Sequence, residues 1–167
     1  MSTDWSRVYE ATYPDLVRFL FRLVWDDDRA HDLAQEAFVR ALRHEPEEPR
    51  AWLFTVARNL ARDEARRAIR RRNHLKRVHD EDRERSVLPV DAEVERSERV
   101  RNVRKALAGL SQRDREVLLL WDAGMSYDEI ASQTGLARGA IGTTLSRARR
   151  RLVEACGAVE NRNGAHR

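Results

Sequence analysis

The sequence predicts an all-α fold made of two small helical modules joined by a flexible charged linker. Apolar residues recur with helical spacing on both sides of residues 74–97, and no window shows the strict alternation of a half-buried β-strand. Residues 74–97 are rich in charge, contain Pro89 and have no apolar face, which is typical of a linker. We therefore divide the chain into an N-terminal module (1–73), this linker, a C-terminal module (98–156) and a disordered tail (157–167).

Composition narrows the classes of partner. The chain has 167 residues, of which 41% are hydrophobic, which is enough for two small cores. Charged residues make up 36%, the net charge is +4 and the pI is about 9.8, which favours nucleic acid over an anionic membrane surface as partner. No apolar run approaches the roughly 20 residues of a membrane span, and residues 1–9 lack a signal-peptide core. We expect a cytoplasmic protein with no membrane insertion.

No catalytic or metal-binding motif is present in the sequence. Cys156 is the single cysteine and the five histidines are scattered without ligand spacing, so we expect no metal and no internal disulfide. The chain also lacks a Gly-rich phosphate loop and the common hydrolase motifs, so we expect no cofactor and no enzymatic activity. Cys156 is either a redox sensor or a partly buried thiol without a role, and the second interpretation is the simpler.

The N-terminal module begins with two predicted helical segments. Trp5–Tyr13 and Pro14–Trp25 form a broken or kinked pair, with the break at the proline. Residues 26–28, all aspartate, supply turn and cap chemistry for the next helix. That helix is amphipathic: it is predicted to bury Leu33, Ala34, Ala37, Phe38, Ala41 and Leu42, and to leave Asp32, Gln35, Glu36, Arg40 and Arg43 outside.

A third helix is predicted over about 50–72, with Pro49 as its first residue. Arginines recur at i, i+4 spacing on its outer faces and are suited to tracking phosphates. Trp52 and Phe54 lie near its start, where aromatic faces beside cations suit unstacked bases; the alternative, that both rings belong to the core, stays open. The predicted core residues are Leu53, Val56, Ala57, Leu60, Ala61 and Ile69, and the arginine stripe is Arg58, Arg62, Arg66 and Arg70.

The C-terminal module carries the pattern of a helix-turn-helix. Ser111 with Asp114 resembles a capping box, Ser126 with Glu129 is a full one, and glycines supply the turns. A short helix, a Gly turn and a longer basic helix are the order of that motif. The turn glycines are Gly124 and Gly135, the last helix covers about 137–154, and the predicted core includes Val100, Val103, Leu107, Leu110, Val117, Leu118, Leu120, Ile130, Ala131, Ile141, Leu145, Ala148 and Leu152.

In a helix-turn-helix the N-terminal part of the last helix faces base edges in the major groove. No acidic residue lies between Arg138 and Arg151, so this helix is predicted to bind DNA, although a core-packing helical hairpin is the alternative. We hypothesise that Gly142 lets the helix backbone approach the groove, leaving Thr143 to contact a thymine methyl group. The outward candidates are Arg138, Gly139, Gly142, Thr143 and Ser146, with Arg147, Arg149, Arg150 and Arg151 placed for phosphates.

Three segments in this order resemble sigma factors of the extracytoplasmic function (ECF) group of the sigma-70 type. They are DLAQEAFVRAL at 32–42, AWLFTVARNLARDEARR at 51–67, and the run from LSQRDREVLLL at 110–120 through MSYDEIASQTGL at 125–136 to LSRARRRL at 145–152. The resemblance covers nearly the whole chain. It implies a sigma-2-like module, a sigma-4-like module and a role in promoter recognition and DNA melting.

The resemblance also implies partners and site residues. It implies docking on the β′ clamp helices and β flap of RNA polymerase core, contacts with promoter DNA, and control by an anti-sigma protein. The residues concerned are Asp32, Gln35, Glu36 and Arg40 for the polymerase; Trp52, Arg58, Asn59, Asp63, Arg66 and Arg67 for the minus-ten element; and Arg138, Gly139, Gly142, Thr143, Ser146, Arg147 and Arg150 for the minus-thirty-five element.

Two other classes of protein remain compatible with the residues. A helix-turn-helix regulator would bind duplex operator by itself as a dimer, whereas a sigma factor gains promoter specificity in complex with polymerase. A protein-interaction module would use its basic helices on acidic partners and would lack salt-sensitive DNA affinity. Polymerase dependence and salt dependence therefore separate the three classes.

Overall fold

The computed structural model describes residues 3–78 and 94–164, and side chains over 3–75 and 98–158. The described residues form seven α-helices and no β-strand, which confirms the predicted all-α fold. The helices are α1 (Trp5–Val24), α2 (Asp27–His44), α3 (Pro49–Val78), α4 (Val94–Ala108), α5 (Gln112–Asp122), α6 (Tyr127–Thr134) and α7 (Arg138–Gly164).

Helix α1 is one continuous helix, so of the two predicted alternatives, a break or a kink at Pro14, the break is wrong. Asp4 caps its start by accepting a hydrogen bond from the Arg7 backbone N–H at 3.2 Å. Pro14 removes the N–H that would have bonded the carbonyl of Glu10, but both residues lie on the exposed face, where water can satisfy that carbonyl. Burial of α1 residues on both sides of the proline keeps the helix in one piece.

Helix α2 follows a tight turn. Trp25 takes a left-handed conformation with φ of 56°, and Asp26 accepts the Arg29 backbone N–H at 2.9 Å, which confirms the predicted cap. The predicted inner face is buried except at one position. Leu42 is 54% exposed because it lies at the edge of the buried face that the other inner residues form.

Helix α3 begins at Pro49 as predicted and extends to Val78. Phe54 is fully buried and meets Phe19 edge to face at 5.2 Å, so this ring belongs to the core. Ile69, predicted to be buried, is 57% exposed. Helix α3 has 30 residues, more than the 20 of α1 and the 18 of α2. Its C-terminal part therefore has no neighbour from its own bundle to cover Ile69.

The C-terminal module packs α4, α5 and α6 around α7. Both predicted caps are present: Ser111 accepts from the backbone N–H of Asp114 at 3.1 Å, and Ser126 and Glu129 form a reciprocal capping box. Gly124 and Gly135 have φ of 84° and 73°, values that favour glycine, as the turn predictions require. Val103, predicted to be core, is 40% exposed at the edge of α4.

The module boundaries differ in part from the predicted ones. Helix α3 runs through 74–78 and α4 begins at Val94, so helix enters the predicted linker at both ends, while residues 79–93 lie outside the described residues. Helix α7 continues through Gly164, so helix extends into residues 157–164, which the sequence analysis assigned to the tail. Residues 165–167 are not among those described.

Candidate nucleic-acid interface

The start of α7 exposes most of the predicted base-reading residues. Arg138, Gly139, Thr143 and Ser146 are exposed, and nothing lies within 4 Å of a Cβ built on Gly139. The guanidinium Nε of Arg138 lies 2.7 Å from Asp128 on α6, which fixes the side chain beside the turn. The helix-turn-helix therefore presents a small, open surface at the N-terminal end of its second helix, where the motif meets base edges.

Gly142 points inward, which contradicts its prediction as an outward residue. It is half-buried, and a Cβ built on it would lie 3.6 Å from the hydroxyl and 3.7 Å from a ring carbon of Tyr127. The Tyr127 ring in turn meets Trp121 edge to face at 5.4 Å. Gly142 thus accommodates an aromatic residue of α6, and its missing side chain does not bring α7 closer to a groove.

Two arginines in the later part of α7, Arg147 and Arg151, pair with a carboxylate that is distant in the sequence. Asp114 of α5 is 1% exposed, and its carboxylate accepts from Arg147 Nη2 at 2.6 Å and from Arg151 Nη1 at 3.0 Å. The hydrogen bond from Arg147 lowers the pKa of Asp114, although burial acts in the opposite direction, and it raises the pKa of Arg147. Arg147 and Arg151 join α7 to α5 through Asp114, and both Arg150 and Arg151 are exposed.

Helix α3 divides its predicted DNA-binding residues between two environments. Asn59, Asp63 and Arg67 recur every four residues and are exposed, and Arg66 is exposed beside them. Arg58 is only 8% exposed, and burial lowers the pKa of its guanidinium. The i, i+4 spacing of the arginines indicated one solvent-facing stripe, but α5 covers its first member.

Trp52 lies at the N-terminal end of α3 and is half-buried. Its ring is 5.5 Å from that of His44 at the end of α2, and it packs against the core of the N-terminal module. The partner from α2 was not apparent from the sequence. One part of the indole is therefore used for packing while the remainder is open to solvent.

The polar face of α2 is open to solvent as predicted for a docking surface. Asp32, Gln35, Glu36 and Arg40 are all exposed, and Arg40 Nε lies 2.8 Å from Glu36. Val39 and Leu42 are exposed large apolar residues of the same helix. A mixed-charge surface with apolar side chains is typical of a protein interface, and the sequence analysis missed its apolar part by placing Leu42 in the core.

In residues 3–78 and 94–164, no helix is long and apolar enough to cross a membrane. Within the same ranges, no group of three or more His, Cys, Asp or Glu side chains is placed to hold a metal ion. Cys156 is half-buried and free.

Two helical modules, the second ending in a basic helix-turn-helix, define a DNA-binding protein of the transcription class. The family described as Sigma-70 region 2 matches residues 8–72, and Sigma-70, region 4 matches residues 101–152. The chain therefore belongs to the sigma-70 family, in its ECF group. Regions 2 and 4 take part in promoter recognition and transcription initiation, and sigma factors are non-enzymatic initiation factors.

Individual relatives agree with this assignment. ECF RNA polymerase sigma factor EcfG of Rhodopseudomonas palustris is 38% identical over 85% of this chain and 79% of its own length. ECF RNA polymerase sigma factor SigL of Mycobacterium tuberculosis is 35% identical over 87% of this chain and 84% of its own length.

Solved structures with both modules resemble this one. The sigma factor RpoE of Bartonella quintana, in complex with the anti-sigma factor NepR, matches with a TM-score of 0.63 and 30% identity over 91% of this chain and 96% of that chain. CnrH, in complex with the cytosolic domain of CnrY, matches in fold with a TM-score of 0.67 and 24% identity, over 92% of this chain and 88% of that chain.

Proposed function

We propose that this chain acts in the cytoplasm, binds RNA polymerase core through the polar face of α2 and directs it to a promoter, without catalytic activity of its own. The observation that carries the proposal is the exposed set Asp32, Gln35, Glu36 and Arg40 on a helix whose other face is buried. A helix needs only its apolar face for the module core. The opposite, mixed-charge face is therefore available to the β′ clamp helices.

We propose that α3 holds the minus-ten element as a single strand. Its exposed polar stripe, Asn59, Asp63, Arg66 and Arg67, supplies charges and hydrogen-bonding groups for the backbone and bases, and the open part of Trp52 supplies a stacking face. Opening DNA costs about 1.4 kcal/mol per base-pair step. Stacking is worth about 1 to 3 kcal/mol per captured base, so a few captured bases offset the opening.

We propose that α7 reads the minus-thirty-five element as duplex. Arg138, Gly139, Thr143 and Ser146 lie at the end of the helix that faces base edges, and Arg150 is exposed one to two turns later for phosphate contact. Arg147 contributes mainly by fixing α7 on α5 through Asp114. Contact between this module and the polymerase β flap is part of the same proposal.

An anti-sigma protein is proposed as the regulatory partner. The similar sigma factor of Bartonella quintana was solved in complex with one, NepR, and the match covers 91% of this chain. Such a partner would act by covering the polymerase-binding or DNA-binding surfaces described above.

The test is multi-round transcription with sigma-free bacterial core polymerase, this protein and a library of promoter fragments, read by sequencing the transcript starts. Starts that appear only with this protein and share upstream elements support the proposal. A Glu36→Arg variant should lose transcription, whereas Glu10→Arg, an exposed glutamate of α1, should keep it. Silent core enzyme combined with tight binding of the free protein to duplex DNA would instead indicate an operator-binding regulator.

A further inference from the structure

An ion pair joins the starts of the two helices of the helix-turn-helix. Asp128 is the second residue of α6 and Arg138 is the first residue of α7, and Nε of Arg138 lies 2.7 Å from Oδ1 of Asp128. The Arg138 side chain is 68% exposed and that of Asp128 is 75% exposed. Since ion pairs this exposed add little to stability, folding alone does not account for the pair.

Helix stability also does not explain an arginine at the start of α7. The N-terminal end of a helix carries a partial positive charge, which disfavours a cation, and the first turn of α7 contains no acidic residue. Asp128 supplies a negative charge there from α6. The start of α6 is capped by other groups, since the side chains of Ser126 and Glu129 each accept the backbone N–H of the other residue. The carboxylate of Asp128 is therefore available to Arg138.

Arg138 lies beside the face of α7 that is proposed to read duplex DNA. Gly139, Thr143 and Ser146 are exposed and recur at spacings of four and three residues, so they form one stripe along the helix. Nothing lies within 4 Å of a Cβ built on Gly139, so the stripe begins in open space. The long side chain of Arg138 immediately precedes this stripe and can extend over it.

The start of α6 flanks Arg138. Gly142 lies one turn after Arg138 on the same side of α7, and a Cβ built on Gly142 would lie 3.7 Å from a ring carbon of Tyr127. Asp128 follows Tyr127 directly, and its carboxylate lies on the Nε side of the guanidinium. The terminal edge of the guanidinium, with Nη1 and Nη2, is therefore the edge left for a bidentate contact with another group.

We propose that Asp128 is a positioning residue that holds the Arg138 guanidinium for bidentate contact with one guanine of the minus-thirty-five element. Nη1 and Nη2 of Arg138 then donate to O6 and N7 of that guanine in the major groove, the commonest specific contact between a side chain and a base. The proposal rests on the proposed function, since it concerns how α7 reads duplex DNA. Asp128 acts through Arg138 and contacts no base itself.

The carboxylate also favours the correct base over the DNA backbone. A free arginine side chain has many rotamers, and ordering it on binding opposes association. Asp128 orders the guanidinium before DNA is bound and so removes part of that opposition. Its negative charge repels phosphates and competes with them for Arg138. Specificity rises because contact with guanine is helped while contact with phosphate is hindered.

The test uses holoenzyme made from sigma-free core polymerase and the full chain. It is bound to duplex promoter DNA that is randomised across the minus-thirty-five element, and the bound fraction is sequenced. Arg138→Ala identifies the position that Arg138 reads, where the preference for guanine should fall about 5- to 150-fold. Asp128→Asn should lower the preference at that same position by about two- to fivefold, the effect of ordering one long side chain, and should leave the other positions unchanged.

Matched variants separate positioning from a general charge effect. Glu154→Gln removes the same charge from an exposed position of α7, roughly 24 Å further along the helix, and should match the wild type. The double variant of Asp128→Asn and Arg138→Ala should have the same base preferences as Arg138→Ala alone. Asp128→Glu keeps the charge on a longer side chain and should restore part of the preference. Circular dichroism melting checks that each variant is folded.

The outcomes distinguish this proposal from the proposed function. An unchanged guanine preference in Asp128→Asn would overturn the positioning role, and so would an equal loss at every position, which is the result of a loosened module. A base preference that still depends on Asp128 when Arg138 is alanine would show direct contact and also overturn it, as would the absence of any position that depends on Arg138. Wild-type holoenzyme that selects no promoter would overturn the proposed function instead.

Discussion

Two carboxylates on the same helix, one buried and one partly buried, hold arginines in different ways. Asp114 and Glu116 are both on α5, but Asp114 binds Arg147 and Arg151 of its own module, whereas Glu116 faces Arg58 and Arg62 of the other module. The first set of contacts joins two helices of one module. The second can separate by a movement of whole modules. Similar ion pairs therefore contribute to fold stability or to conformational state according to which elements they join.

The largest expected effect on stability comes from replacing Asp114, the carboxylate that joins two helices of one module. Asp114→Asn should lower the free energy of unfolding of the C-terminal module by about 2 to 3 kcal/mol, because it removes charge-assisted hydrogen bonds at a buried position. Urea denaturation followed by far-UV circular dichroism measures the change. Asp128→Asn, at an exposed pair with Arg138, is the control and should change it by less than about 1 kcal/mol. Equal losses in the two variants would contradict the distinction.

The same carboxylate predicts a dependence on pH. The pKa of Asp114 is lowered in the folded state, so its stabilising contribution is present above the unfolded pKa of about 3.9 and is lost as the pH falls through the folded pKa. Urea midpoints should therefore fall more steeply below about pH 4 in the wild type than in Asp114→Asn. Parallel curves for the two proteins would show that Asp114 is not the titrating group.

A substitution on the inner side of α7 should have a smaller effect on the free energy of unfolding, and of opposite sign. Gly142→Ala should raise stability by up to about 1 kcal/mol, since alanine favours the helix and the added Cβ meets Tyr127 at ordinary contact distances. Duplex minus-thirty-five affinity should stay within about twofold of the wild type because the methyl group points away from the groove. A large loss of duplex affinity would restore the hypothesis that this glycine faces DNA.

The smallest expected effect on stability comes from replacing Glu116, the carboxylate that faces arginines of the other module. Glu116→Gln should change the free energy of unfolding of either module by less than about 0.5 kcal/mol, because the modules can separate instead of unfolding. Calorimetry on the full chain measures this against Asp114→Asn. A loss as large as that of Asp114→Asn would show that the two modules unfold as one cooperative unit.

Local chemistry explains why so many elements could be predicted from the sequence. The caps at Ser111 and Ser126, the turns at Gly124 and Gly135, and the first residue of α3 at Pro49 all depend on residues within four positions of each other. The predictions fail where the contacting residue is distant in the sequence, or where the packing of neighbouring helices determines whether a residue is buried. Pro14 is tolerated because its face is solvated, and Ile69 is exposed because no helix of its bundle reaches it.

The sequence by itself determined the helical class, the helix starts and turns, the polar face of α2 and the resemblance to ECF sigma factors, because each depends on spacing along one helix or on a linear motif. Only the tertiary structure decided that Arg147 is held by Asp114, 33 residues away, that Gly142 faces Tyr127, and that Glu116 covers Arg58. The physical reason is that spacing fixes which residues share a face, whereas helix packing fixes which face meets an opposite charge, a ring or water.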